Sequence, residues 1–125
     1  MTKARFIRPN DTLDDADTVV VRGGALDVEI IRADAARYQA IYGVPGISVF
    51  AARAVTVDEL AQEAPLIRFA VLTLMRVGTL RSAGFTLEAT GRNPRHFTVT
   101  FVGLEGAATF AACEHERWVN PYHEE

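Results

Sequence analysis

Apolar and polar positions alternate most cleanly over residues 85–101. Phe85, Leu87 and Ala89 interleave with Thr86, Glu88 and Thr90, and Phe97, Val99 and Phe101 interleave with His96, Thr98 and Thr100. A period of two predicts strands with one face buried. Between them stands Gly91-Arg92-Asn93-Pro94-Arg95, a run of turn formers. The pattern predicts an antiparallel hairpin, with aromatic and aliphatic side chains inward. Its threonine-rich face, with Glu88 and His96, is expected to meet water, as one face of an antiparallel sheet usually does.

The same reading extends along the chain. Thr18 to Arg22 is a β-branched strand stopped by Gly23-Gly24. Asp27 to Tyr42 has apolar residues at spacings of three and four, acidic residues at its start and Gly43 after its end, which predicts a helix. Tyr38 and Tyr42 are candidate stacking rings, although their spacing also suits core packing. Gly46 to Ala52 is nearly all apolar and predicts a central strand. Thr56 and Glu59 form a capping box for a short helix. The run Ile67 to Met75 suits either a buried strand or a helix following Pro65, and the strand is preferred because a continuous apolar run fits a sheet centre. Val77 to Ala83 predicts a helix ended by Gly84, and Leu104 to His115 a last helix.

The expected fold is therefore α+β: a mainly antiparallel sheet of about five strands, with two to four helices packed on one face. Residues 1–125 read as a single domain, with 1–17 an extended N-terminal arm and 117–125 a C-terminal tail. Trp118 and Tyr122 suggest that this tail docks back on the domain. The acidic run Asp11, Asp14, Asp15 and Asp17 lacks the glycine hinge and closing glutamate of a calcium loop and reads as a solvated loop.

A length of 125 residues allows a real core. The formal charge of −3 argues against a broad grip on nucleic acid. Cys113 is the single cysteine, so no internal disulfide forms. No apolar leader and no membrane-length apolar run are visible, and the expectation is a cytoplasmic protein without membrane contact.

Phosphate-loop, dinucleotide-glycine, paired-cysteine and nucleophile-elbow motifs are all missing. Three looser constellations remain. The first is Arg22 at a strand end, Ser48 on a later strand, and Glu114-His115-Glu116 near the C-terminus. This order resembles the Arg–Ser–Glu pattern of the ADP-ribosyltransferases. The resemblance implies that Arg22 holds a dinucleotide, Ser48 supports the site and Glu116 polarises the ribose, a cation for the pyrophosphate and a carboxylate for a developing oxocarbenium. The family's Ser-Thr-Ser triplet is replaced here by Ser48-Val49-Phe50. The second is Arg92, Arg95 and His96 with Glu88 on the partner strand. These could serve phosphodiester chemistry, with the imidazole moving protons and the guanidiniums stabilising a pentavalent phosphate. In size and architecture the chain is also similar to small bacterial ribonuclease toxins. The third gathers metal-ligand types, Cys113, Glu114, His115, Glu116 and His123, at a spacing that matches no defined site, so no metal is assigned.

The segments GISVFAA, LRSAGF, TGRNPRHFTV and WVNPYHE resemble those of small actinobacterial proteins, some encoded beside regulatory or toxin–antitoxin genes; no activity follows from that. Two functions are carried forward. One is a small toxin-like enzyme acting on a nucleotide or RNA, with a cognate antitoxin as partner. The other is a non-catalytic interaction domain working in a homo-oligomer or complex. The sequence assigns no cofactor.

Overall fold

A computed structural model describes residues 2–9, 12–23 and 26–124, with the backbone alone at Arg22 and Gly23. Among these residues the elements run β1 (Thr18–Gly23), α1 (Val28–Tyr42), β2 (Gly46–Ala51), α2 (Val57–Ala61), a 3-10 turn (Leu66–Arg68), β3 (Val71–Arg76), α3 (Val77–Ser82), β4 (Thr86–Ala89), β5 (His96–Thr100), α4 (Gly106–Ala111) and β6 (Glu116–Val119). The strands form one six-stranded antiparallel sheet in the order β4-β5-β2-β1-β3-β6. The α+β class and the antiparallel sheet are as expected, with one more strand. Among the described residues no helix is long and apolar enough to cross a membrane.

Local chemistry explains the helix ends. The Asp27 carboxylate accepts from the Glu29 and Ile30 amides and caps α1. Gly43 ends α1 at φ 86°, where a side chain would be strained. The Thr56 hydroxyl accepts from the Glu59 amide, as the capping box requires.

The two faces carry separate cores. Val19, Val21, Ile47, Val49, Phe97 and Val99 bury one face under Ile31 and Ala35 of α1, Leu80 of α3 and Phe110 of α4. Val20, Leu72 and Leu74 turn to the other face and pack with Leu60, Ala61 and Leu66, joined by partly buried Phe50, Trp118 and Tyr122. The tail thus docks, and its first part is the edge strand β6, paired with β3 at Val71↔Val119 and Leu72↔Trp118.

Four local expectations are corrected. The run Ile67–Met75 is strand only from Val71. Its first part is the 3-10 turn and a connector on which Phe69 is 41% exposed, so the apolar run spans two elements. The last helix shrinks to Gly106–Ala111, because the chain leaves it to build β6. The threonine-rich face of the β4–β5 hairpin is only partly left to solvent: Thr86 is exposed, whereas Thr90 and Thr98 are buried and Ile7 of the arm bridges Thr90. The acidic run is likewise not all solvated, because Asp17 is buried and accepts from the amides of Asp14 and Ala54; Asp11 lies outside the described residues.

Candidate functional site

The site begins where two neighbouring strands part. β1 and β2 pair at Val19↔Ala51 and Val20↔Phe50 and then stop. Continued in the same register, the ladder would set Arg22 opposite Ser48. Instead β1 changes register against β3 between Val20 and Arg22, and Arg22 pairs with Thr73. Such a bulge bends the strand and turns it from its neighbour. The first half of β2 keeps β5 on one side, with Ile47↔Val99 and Ser48↔Thr98. Beside its other edge lies a cavity of about 280 Å³ lined by Val21, Asp34, Arg37, Tyr38, Ile47 and Ser48.

A second cavity, of about 330 Å³, shares Tyr38 and Ser48 with the first. Its further walls are Tyr42, Thr90, His96 and Thr98, with Arg5 and Phe6 of the arm. Tyr38 and Tyr42 lie one helical turn apart, and their ring centroids are 4.5 Å apart. Gly46 lets Tyr38 come this close to the sheet. A Cβ there would stand 2.9 Å from Thr98 Cγ2 and 3.2 Å from Tyr38 Cδ1.

A chain of hydrogen bonds crosses this wall. The Tyr38 hydroxyl lies 3.3 Å from Thr98 Oγ1, which lies 2.7 Å from Thr90 Oγ1. His96 Nδ1 lies 3.0 Å from Thr90 Oγ1 and 2.9 Å from the Thr90 carbonyl. A carbonyl only accepts, so the second contact assigns the proton to Nδ1. Phe50 packs edge-on against the imidazole at 5.7 Å and fixes its plane.

The arm is a built wall. Ile7 bridges Thr90, the Gly91 amide donates to Phe6 O, and the Lys3 amide donates to Ile41 O. The Arg8 guanidinium donates to the carbonyls of Thr90, Gly91, Pro94 and His96 and lies 5.3 Å from the Phe97 ring centroid. Arg5 Nη1 lies 2.5 Å from Glu88 Oε1, and this bond holds the guanidinium pKa above its ordinary value.

Ser48 and His96 thus line the second cavity together. Glu88 shares a lateral row with Ser48, through Ser48↔Thr98 and Glu88↔Thr98. Arg22 pairs through its backbone with Thr73 of β3, just past the last β1–β2 pair, its side chain being outside the described residues. Arg92 and Arg95 are not brought to His96: Arg92 lies over Phe6 at 5.7 Å, and Arg95 Nε pairs with Glu63 at 3.2 Å. Glu116 is opposite Leu74 on β6, three strands from Ser48 or about 14 Å at sheet spacing. His115 Nδ1 is bonded to Cys113 O, and no group of three acidic, histidine or cysteine side chains among the described residues could hold a metal. Burial pushes the Cys113 thiol pKa up, so this cysteine is no ready thiolate.

Thr90 and Thr98 stood on the hairpin's polar face, and only their burial was hidden. Arg5 and Arg8 were missed altogether. They flank Phe6-Ile7, and that cation–apolar–cation pattern was the available signal for an arm that docks. Comparison with family models, with curated proteins and with solved structures finds no match to this chain.

Proposed function

We propose that the chain is a small toxin-like enzyme that holds an NAD-type dinucleotide where β1 and β2 part and breaks its nicotinamide–ribose bond. The carrying observation is the parting of β1 from β2 just beyond the Val20↔Phe50 pair. The arginine and serine that resemble the ADP-ribosyltransferase pattern stand on neighbouring strands, at the position where those strands separate around a cavity. In this reading Arg22 offers a cation to the pyrophosphate and Ser48 a hydroxyl to the nicotinamide side. The carboxylate role passes from Glu116 to Glu88, which lies in the same row as Ser48, about 10 Å away at two strand spacings. A carboxylate near the ribose favours the oxocarbenium-like charge that develops as the bond breaks. The phosphodiester alternative is weaker, because Arg92 and Arg95 are engaged away from His96. We place the enzyme in the cytoplasm, with an antitoxin covering the cleft.

The test is nicotinamide release from NAD by the purified chain, with Arg22→Ala and Ser48→Ala beside it. Release that falls at least tenfold in both variants supports the reading. A chain that neither binds nor cleaves NAD overturns it. Growth arrest on induction, relieved by Ser48→Ala, would add the toxin role.

One observation favours an interaction domain. The outer side of β6 has no strand partner among the described residues, and Val119 on it is 75% exposed. A second copy pairing there would appear as a dimer in sedimentation velocity, lost in Val119→Glu. A monomer at all concentrations removes this reading.

A further inference from the structure

We infer that the second cavity, under the arm, is the pocket for an acceptor substrate of the nucleoside class; as an acceptor pocket it rests on the dinucleotide reading of the first cavity. The two cavities share Tyr38 and Ser48, so molecules held in each would meet at these side chains. The walls of the second name their guest. Phe6, Tyr38 and Tyr42 line it with aromatic rings, and Ser48 and His96 line it with hydrogen-bonding groups. The guanidinium of the lining, Arg5, is committed to Glu88 at 2.5 Å. A flat ring carrying hydroxyls, without a phosphate, matches that lining. Stacking on aromatic rings is the general means of gripping a nucleobase.

The geometry also gives His96 a task. Its Nδ1 proton is held by the Thr90 carbonyl, and Nε2 has no hydrogen bond among the described residues. An acceptor hydroxyl oxygen attacks C1′ of the bound ribosyl group. The C1′–nitrogen bond breaks, nicotinamide leaves with the bonding electron pair, and the acceptor proton passes to His96 Nε2 and on to water. The Thr90 carbonyl stabilises the imidazolium that forms.

The test has two arms. In the first, each of the four common ribonucleosides is titrated at up to millimolar concentration into the full chain without NAD, followed by calorimetry. One of them binds, and Phe6→Ala and Tyr42→Ala each weaken it at least tenfold. Phe6 is 57% exposed, so its removal spares the core and guards against a merely unfolded Tyr42 variant. In the second, NAD is added and the product is weighed by mass spectrometry. The nucleoside gains an ADP-ribosyl group, and His96→Ala reduces this at least tenfold. No ribonucleoside bound, or binding unchanged in both variants, overturns the inference even where NAD is cleaved to free ADP-ribose. A nucleoside bound with no NAD turnover establishes the pocket and overturns its role as an acceptor site.

Discussion

Val20 and Phe50 form the last pair between β1 and β2; Arg22 and Ser48 lie two residues beyond it on their own strands, and Arg22 pairs with Thr73 instead. The divergence sets the exposed Ser48 hydroxyl at two cavities while its neighbours Ile47 and Val49 are buried in the core. Position and function are therefore separable at Ser48. Ser48→Ala is expected to change stability by no more than about 0.5 kcal/mol, as for an exposed side chain. Nicotinamide release should fall at least tenfold. Thermal melts read beside the NAD assay check both, and a large drop in melting temperature would show that Ser48 supports the fold instead.

Gly46 tests the contact between Tyr38 and the sheet. Gly46→Ala places a methyl 2.9 Å from Thr98 Cγ2 and 3.0 Å from the Val99 carbonyl, and neither β5 atom is free to retreat. Overpacking of this kind costs about 1–3 kcal/mol. Tyr38 should swing out and lose its bond to Thr98. Denaturant unfolding gives the cost, and loss of ligand binding beyond what the unfolded fraction explains shows that the cavity wall has moved.

Much of this frame was legible because it depends on local chemistry. Alternation marked β4 and β5, threefold and fourfold spacing marked α1, and Asp27, Gly43 and Thr56 marked helix ends. What escaped depends on distant partners. Glu116-Arg117-Trp118-Val119 is short and charged, and it becomes β6 because β3 offers an edge. The parting of β1 from β2 follows from β1 pairing with β3, which no local window contains. Arg5 and Arg8 look like ordinary surface cations until the hairpin 80 residues later supplies Glu88 and its turn carbonyls. For the candidate site, Ser48, Glu88 and His96 were found by residue type, whereas the separation of Arg92, Arg95 and Glu116 from them needed the fold.

Asn120 fastens the second core. It is buried, its Nδ2 donates to the carbonyls of Ala61, Leu66 and Phe69, and its Oδ1 accepts from the Tyr122 amide. Asn120→Ala strands those carbonyls and frees the tail. The expected cost is about 2 kcal/mol, or roughly 8 °C in melting temperature for a domain of this size. Hydrogen exchange should quicken first in β6 and the 3-10 turn. Uniform quickening would show instead that Asn120 secures the whole domain.

Two groups make the fold sensitive to alkali. Burial raises the Cys113 pKa, and the hydrogen bond to Asp58 raises that of Tyr122. Both are neutral when protonated, and the folded state holds those protons more tightly than the unfolded chain. Their stabilisation is complete below the ordinary thiol and phenol pKa values and is lost as pH rises through the raised ones. The urea midpoint should hold steady near neutrality and fall in alkali. Cys113→Ala removes the lower-pH part of that fall and leaves the tyrosine part. An unchanged alkaline profile in Cys113→Ala would exclude the thiol as its source.

The Arg5–Glu88 pair decides whether the arm is a wall or an ornament. The side chains are 22% and 25% exposed, so the ion pair is partly screened, and a double-mutant cycle over Arg5→Ala and Glu88→Ala should return a coupling of about 0.5–1 kcal/mol. Arg8 keeps the base of the arm in place through its carbonyl contacts, so neither change detaches residues 2–9 from the hairpin. The functional effect should therefore exceed the stability effect. Without Arg5, Glu88 loses its cation and the second cavity loses part of its wall; without Glu88, Arg5 loses its carboxylate and keeps its hydrogen bond with Tyr38. The first change should weaken nucleoside binding. The second should shift preference towards a nucleoside monophosphate, because the released guanidinium then meets a phosphate. Calorimetry with a nucleoside and its monophosphate on both variants checks this, and identical selectivity in Glu88→Ala and the parent would show that Arg5 does not face the ligand.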